Sequence, residues 1–273
     1  MRTKNWTCVI MSVYKNDGYE GVRRCLDSLF SQTISDNVDI YVMADGVVSD
    51  EIDSLLMSYH DQSRLEYLRR EENIGLAKTL NQLLEYVLPM GYEFIARMDA
   101  DDECLPYRFE EQVAFLKSHQ DVDIVGGYIN EVSDGDIRVV QYPLKHNDMK
   151  SIMGKRNCIA HPTVMFRRSY FEKAGLYPTD NLRDEDTLMW LKGFKSGCQF
   201  ANIPKVLVNM TVEAAFYKRR AGHDKSKGDY ISRKKVIRQL GLPKINYLYA
   251  WGRYVLFRYA SPRLLSLAYR YIR

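Results

Sequence analysis

Three carboxylates, Asp99, Asp101 and Asp102, fall within four positions directly after the apolar run Phe94-Ile95-Ala96. The run reads as a buried strand. Burying the three acids together would be prohibitive, because unpaired charges are among the costliest groups to desolvate. The cluster therefore belongs at the C-terminal end of the strand, where open α/β sheets place their ligands. Asp-x-Asp there offers a hard divalent cation oxygen ligands while leaving positions for water and substrate phosphates. The ordinary alternative is a solvated acidic turn. A second acidic group, Arg183-Asp184-Glu185-Asp186, opens the apolar helical segment Leu188-Met189-Trp190-Leu191. Acids in a first helical turn also have a plain explanation, since they complement the helix dipole.

The elements that position these groups follow from the spacing of apolar residues. Thr7 to Val13 and Val38 to Ala44 read as strands, Leu65 to Arg69 as a shorter one, and Phe94 onward as the fourth. Helical spacing occupies Tyr19–Ser31, Ser49–Tyr59 with Ser49 as N-cap, and Leu76–Val87 after the turn Asn73-Ile74-Gly75. Four alternations of strand and helix are the pattern of a parallel sheet covered on both faces. Three strand ends then converge on one edge: Ser12-Val13-Tyr14, Asp45-Gly46, and Arg97 to Asp102. Further on, the pattern predicts a helix from Pro106 to Ser118 and a hairpin over 123–142. It then predicts a short helix over 146–153, a strand His161–Phe166, and helices over 168–174 and 184–196. Neither Gly-x-Gly-x-x-Gly nor Gly-x-x-x-x-Gly-Lys-Ser/Thr occurs, so dinucleotide-binding and P-loop readings lose support.

The bulk numbers fit one large folded domain with an appendage: 273 residues, 46% apolar and 27% charged. No signal peptide or membrane span is expected. The five scattered cysteines suggest reduced core thiols in a cytosolic protein. Residues 217–273 hold 15 Lys/Arg against two acidic residues, while residues 1–216 hold 24 against 33. An acidic body with a basic tail implies an anionic partner surface for the tail.

The succession VIMSVY, ADG, NIGLAKTLN, RMDADD with P-x-R, HPTVMF and EDTLMW resembles glycosyltransferase family 2, inverting sugar transferases of GT-A fold. It is particularly similar to the branch that assembles bacterial O-antigen, capsule and exopolysaccharide, over roughly residues 5–220. The resemblance implies an α/β GT-A domain over 1–220, with a Rossmann-like, mostly parallel nucleotide-sugar half (1–105) and an acceptor half (106–220). A basic amphipathic helical extension, 221–273, follows. It implies Mn2+ or Mg2+ bridging Asp101 and the donor diphosphate, with Asp99 beside it and nearer the donor sugar or ribose. Ser12, Val13, Tyr14 and Asp45 match nucleotide-holding positions. Asn73, Lys78 and Arg97 fall where donor contacts are expected, and His161 near donor sugar or acceptor. Glu185-Asp186 matches the pair whose aspartate, Asp186, is the expected general base. Tyr217 and Arg219-Arg220 match a late basic block over the diphosphate. Ala44-Asp45-Gly46-Val47 departs from the family's Asp-Asp-Gly-Ser and leaves one carboxylate for the base.

The expected reaction is therefore transfer of a hexose or N-acetylhexosamine from a UDP-sugar to a lipid-linked acceptor, with inversion. A nucleotidyl- or phosphoryl-transferring enzyme and an inactive sugar-nucleotide-binding or scaffolding protein stand as alternatives. Ordinary readings stand beside the residues too: His161 as a polar group at a strand start, Arg97 as a neutraliser of its neighbours, Lys78 as solvated, Trp190 and Trp251 as packing residues. In the tail, Leu248, Trp251, Val255 and Tyr259 share a helical face with Arg253 opposite. Leu264, Leu265, Ala268 and Ile272 continue the pattern. Such a basic, aromatic-rich helix suits the inner surface of the cytoplasmic membrane. Packing on the body or a homodimer partner is the competing reading. Nucleic acid is not an expected partner.

Overall fold

The computed structural model describes residues 6–62, 64–133, 136–179, 184–212 and 223–260. The first half follows the alternation: β1 (Thr7–Val13), α1 (Tyr19–Phe30), β2 (Val38–Ala44), α2 (Asp50–Asp61), β3 (Glu66–Arg69), α3 (Leu76–Val87) and β4 (Phe94–Asp99). Ser49 caps α2, its Oγ accepting from the Ile52 N–H at 3.4 Å. Strands β3, β2, β1 and β4 lie side by side and parallel. Along β1, Val9, Met11 and Val13 enter one core, while Cys8 and Ile10 enter the other. A strand buried on both faces needs a continuous apolar run, which is why β1 and β4 read without alternation.

The second half contains β5 (Glu103–Cys104), α4 (Arg108–Ser118), β6 (Ile124–Ser133), β7 (Asp136–Val140), α5 (His146–Ile152), β8 (Met165–Arg167), α6 (Arg168–Ala174), α7 (Glu185–Lys195) and β9 (Phe200–Thr211). These strands complete a nine-stranded sheet in the order β3-β2-β1-β4-β8-β6-β9-β5, with β7 on β6. Strand β8 runs antiparallel to both β4 and β6.

Two expectations are corrected here, and one strand was not expected. His161–Phe166 is not one strand: His161–Thr163 form a 3-10 turn and only Met165–Arg167 are extended. Pro162 supplies no N–H for a ladder, and Thr163 Oγ1 donates to the Ala160 carbonyl at 2.8 Å, which closes the turn. Helix α4 begins at Arg108, because Glu103-Cys104 pair with β9 before it. The longest strand, β9, carries no sequence expectation at all. Pro204 and Lys205 interrupt its apolar pattern, and they fall between Ile203 and Val206, where the pairing with β6 shifts register at Gly127/Tyr128.

Two further helices, α8 (His223–Leu240) and α9 (Ile245–Tyr259), close the described chain. They pack on each other, and α8 packs on α7. All five cysteines are free and buried. Trp190 is fully buried, as expected of a packing residue, but Trp251 is 56% exposed on α9 and does not pack in the core.

Candidate active site

Parallel register sets the donor end of the site. Ser12 on β1 pairs with Asp99 on β4, and the Asp45 N–H donates to the Val13 carbonyl at 2.7 Å. Val13 itself is buried in the core, whereas Ser12, Tyr14, Asp45 and Asn73 line a cavity of about 580 Å3. The Asp45 carboxylate accepts from the N–H groups of Ile74 and Gly75 at 2.9 and 3.0 Å, and Arg70 lies 3.6 Å away. Asn73 Nδ2 donates back to the Asp45 carbonyl at 2.8 Å. Asp45 thus fastens the loop between β3 and α3 beside the first strand end. Each of the two facing turns needs a glycine: Gly46 after β2 and Gly75 before α3 have φ of 86° and 90°. Lys78 lies exposed on α3, outside the cavity lining.

The aspartate cluster is built differently from a bare turn. Arg97, only 1% exposed, directs both terminal nitrogens onto the two oxygens of Asp99. Cys25 Sγ contacts the Asp99 carbonyl at 3.3 Å. The last residue of β9 holds the next two positions: Thr211 N–H donates to Asp102 Oδ1 at 3.1 Å, and Thr211 Oγ1 to the Asp101 carbonyl at 3.0 Å. Asp102 is 2% exposed, and its Oδ2 has no hydrogen-bond partner among the described residues. Burial, then the charges of Asp99 and Asp101, pushes the Asp102 carboxyl well above the usual range. Beneath the cluster, Arg108 is wholly buried and donates to the Arg97 carbonyl at 2.8 Å and to Gln112 at 3.1 Å. It clamps the strand end that carries the acids.

These residues suit a divalent cation of limited kind. Among the described residues, no three acidic, imidazole or thiol side chains form a ready-made metal cage. Asp99 is already committed to Arg97, and Asp101 lines the cavity. A cation held by one or two carboxylates and completed by substrate phosphates fits that arrangement. A self-sufficient structural metal does not.

The opposite wall comes from α7 and its neighbours. Asp184, Glu185, Asp186 and Thr187 line the same cavity. Asp186 Oδ2 accepts from Asn157 Nδ2 at 2.6 Å, and Oδ1 from the Thr187 N–H at 2.6 Å. Asn157 is fixed in turn, its Oδ1 accepting from Thr187 Oγ1 and from Arg233 Nη2, both at 2.8 Å. Burial, then the Asp186 charge, raises Glu185 to about 7. Burial, then Asp229 and Asp186, raises Asp184 to about 6, although Ser232 Oγ donates to it at 3.0 Å. His161 stands between the walls, 9% exposed, bonded to the Tyr177 hydroxyl at 2.9 Å and edge-on to Trp190. Burial, then the Arg97 charge, holds its pKa well below the ordinary value, so the ring is neutral.

The structure therefore gathers Ser12, Tyr14, Asp45, Asn73, Arg97, Asp99, Asp101, His161, Glu185 and Asp186 around one cavity. Arg219 and Arg220, with Tyr217, lie outside the described residues, as does Arg183. Sequence reasoning missed Asn157, Thr211, Arg233 and Arg253. Asn157 stands alone before a buried cysteine, and Arg233 and Arg253 are indistinguishable by type from the many basic residues of the tail.

A parallel first half joined through the antiparallel strand β8 to a mixed second half in one sheet is the GT-A architecture, and the comparisons agree. The model for glycosyl transferase family 2 matches residues 8–175, more than half of the sequence. The chain belongs to glycosyl transferase family 2. Its relatives include the amylovoran biosynthesis glycosyltransferase AmsE of Erwinia amylovora, 32% identical over 236 residues, covering 85% of this chain and 87% of the relative. Another is an Escherichia coli UDP-Gal:alpha-D-GlcNAc-diphosphoundecaprenol beta-1,3-galactosyltransferase, 28% identical, covering 78% and 77%. Among solved structures, the mannosyltransferase PcManGT of Pyrobaculum calidifontis, in complex with GDP-Man and Mn2+, superposes with TM-score 0.63 at 17% identity, covering 98% of this chain and 80% of that one. At that identity the likeness establishes the GT-A fold.

Proposed function

We propose that this glycosyltransferase moves a hexose or N-acetylhexosamine from a UDP-sugar to a lipid-linked glycan acceptor during assembly of a bacterial surface polysaccharide. The observation that carries the reading is a single cavity with two acidic walls of different construction. One wall, Asp99 to Asp102, sits at a parallel strand end. The other presents Asp186, oriented by Asn157. Donor and acceptor roles divide naturally between them, and the names of the bacterial relatives point to the same chemistry.

In this reading Asp101, with Asp99 beside it, holds Mn2+ or Mg2+. That ion, when bound, neutralises the charge developing on the departing diphosphate. Arg97 fixes Asp99 so that the latter faces the donor sugar or ribose. Ser12, Tyr14 and the loop fastened by Asp45 take the nucleotide, and neutral His161 offers the sugar a hydrogen bond without adding charge. Asp186 removes the proton from the acceptor hydroxyl as it attacks the anomeric carbon from the face opposite the leaving group. One base and no covalent nucleophile imply inversion, so an α-linked donor gives a β-linked product. Arg219 and Arg220 are proposed to close over the diphosphate. The proposed domain division, a GT-A body with a basic extension after residue 220, places α8 and α9 in the extension.

Among the described residues, no helix is long and apolar enough to cross a membrane. Membrane association is proposed instead through the outer face of α9. Ile245, Leu248, Tyr249, Trp251 and Tyr259 there are each more than half exposed. The proposed place of work is the inner face of the cytoplasmic membrane.

The test is direct. Asp186→Asn should bind UDP in the presence of Mn2+ like the wild type yet lose about 100-fold or more in turnover. Asp101→Ala should abolish the Mn2+-dependent rise in melting temperature with UDP. Full turnover in the Asn variant would remove Asp186 as the base.

A further inference from the structure

Beyond Asp186 the cavity changes sign. Its donor end is walled by Asp17, Asp45, Asp99, Asp101 and Asp102, while its outer end carries Arg156, Arg233 and Arg253. One carboxylate, Asp229, faces two of these: Arg253 Nε donates to it at 2.9 Å, and Arg233 Nε lies 3.5 Å away. Arg156 has no carboxylate within salt-bridge distance among the described residues. Its Nη2 donates to the Gln141 carbonyl at 3.0 Å, and its guanidinium lies 5.3 Å from the Tyr142 ring centroid. Among the described residues, these three guanidinium groups therefore meet one salt-bridging carboxylate, which leaves the outer wall with a cationic surplus.

This surplus sits beside the chemistry. Arg156 is the chain neighbour of Asn157, which holds Asp186. Arg253 connects to Asp186 through Asp229, Arg233 and Asn157, each link 3.5 Å or less. On its far side the same segment abuts α9. A Cβ on Gly154 would come within 2.9 Å of the Asn246 side chain, and Lys155 Nζ lies 4.6 Å from the Tyr249 ring centroid. Tyr249 and its neighbours Leu248 and Trp251 are exposed. A ligand leaving Asp186 in this direction meets guanidinium groups first and an exposed apolar helix face next. That is the order of an anionic head followed by hydrocarbon.

We infer that Arg156 and Arg253 form a diphosphate subsite for the lipid-linked acceptor, with the outer face of α9 receiving the start of its hydrocarbon chain. Guanidinium forks match phosphate oxygens in geometry and charge. The inference rests on the proposed role of Asp186 as the base. The donor's own diphosphate is the other source of the same chemistry, and the experiment separates the two.

Binding of farnesyl diphosphate is measured by calorimetry with UDP and Mn2+ saturating the donor site, beside farnesol as the uncharged control. The wild type should bind the diphosphate and prefer it to farnesol. Arg156→Ala and Arg253→Ala should each weaken that binding about tenfold, the scale of one charge-assisted hydrogen bond, and leave UDP affinity unchanged. Arg156→Gln, with its smaller change in packing, should behave like the alanine variant. Displacement of UDP by farnesyl diphosphate would assign the arginines to the donor and overturn the inference. So would equal binding of farnesol, or variants that bind like wild type. Failure of the wild type to bind UDP strikes at the donor assignment, and farnesyl diphosphate binding that is then weakened by Asp101→Ala rather than by the arginine variants overturns this inference as well.

Discussion

The side chain of Asn157 is oriented from both ends, since Thr187 and Arg233 donate to its oxygen and its nitrogen is left to face Asp186. Asn157→Ala removes the group that orients the base. It should lower kcat about tenfold or more, on the scale of one charge-assisted hydrogen bond, and leave UDP affinity unchanged. A general structural defect would weaken UDP binding as well. Glu185 carries a pH dependence. Native Glu185 keeps its proton up to about pH 7, whereas the unfolded chain releases it near the ordinary value of 4.5. Between those values the native state binds more protons, so rising pH costs stability until the native group has ionised, and the cost is constant above. Glu185→Gln removes that cost. Its unfolding free energy in denaturant titrations should be close to wild type at pH 4.5 and exceed it at pH 8 by at most about 3 kcal/mol.

Among the elements, the loop beside Asp45 is the most sensitive to a single methyl group. A Cβ at Gly46 would meet the Asn73 nitrogen at 3.0 Å, whereas one at Gly75 meets nothing within 4 Å. Both glycines have positive φ. Gly75→Ala should then cost only its backbone strain, about 1–3 kcal/mol, in denaturant unfolding. Gly46→Ala adds a clash with the loop and should cost more while also weakening UDP binding. Much at this scale was legible in advance. β1, β2 and α3 end where their apolar runs do, because burial on both faces or along one stripe leaves the pattern unbroken. β9 was illegible, since a bulge near Pro204 disguises its period. His161 to Thr163 misled because a turn with β-branched and apolar neighbours has the composition of a strand. Of the site, the aspartates and the Glu185-Asp186 pair stand in motifs. Asn157, Thr211 and Arg233 act through contacts spanning from 29 to 110 positions in sequence, and no local pattern reports those.

For the whole molecule, charge and shape are divided between an acidic body and a basic C-terminal region. Removing residues 243–273 is a poor test of membrane binding, because Arg253, Tyr254 and Phe257 of α9 also line the cavity. Replacing the exposed residues is cleaner. Leu248→Glu with Trp251→Glu should abolish sedimentation with vesicles rich in anionic phospholipid and leave UDP affinity intact. Raising the salt concentration should weaken vesicle binding of the wild type, since screening acts on the electrostatic part of the attraction. Binding that survives both would place the membrane contact elsewhere.

The grip of Thr211 on Asp101 and Asp102 bears on how this enzyme can be re-engineered. The longest strand of the second half secures the acids that the first half displays. A chimera cut at residue 105 would pair donor-side aspartates with a foreign threonine position and lose their alignment, however well each half folds. Donor preference is therefore an exchangeable module only when the transplant extends through residue 212, and recombination within the family should tolerate crossovers after that point far better than before it.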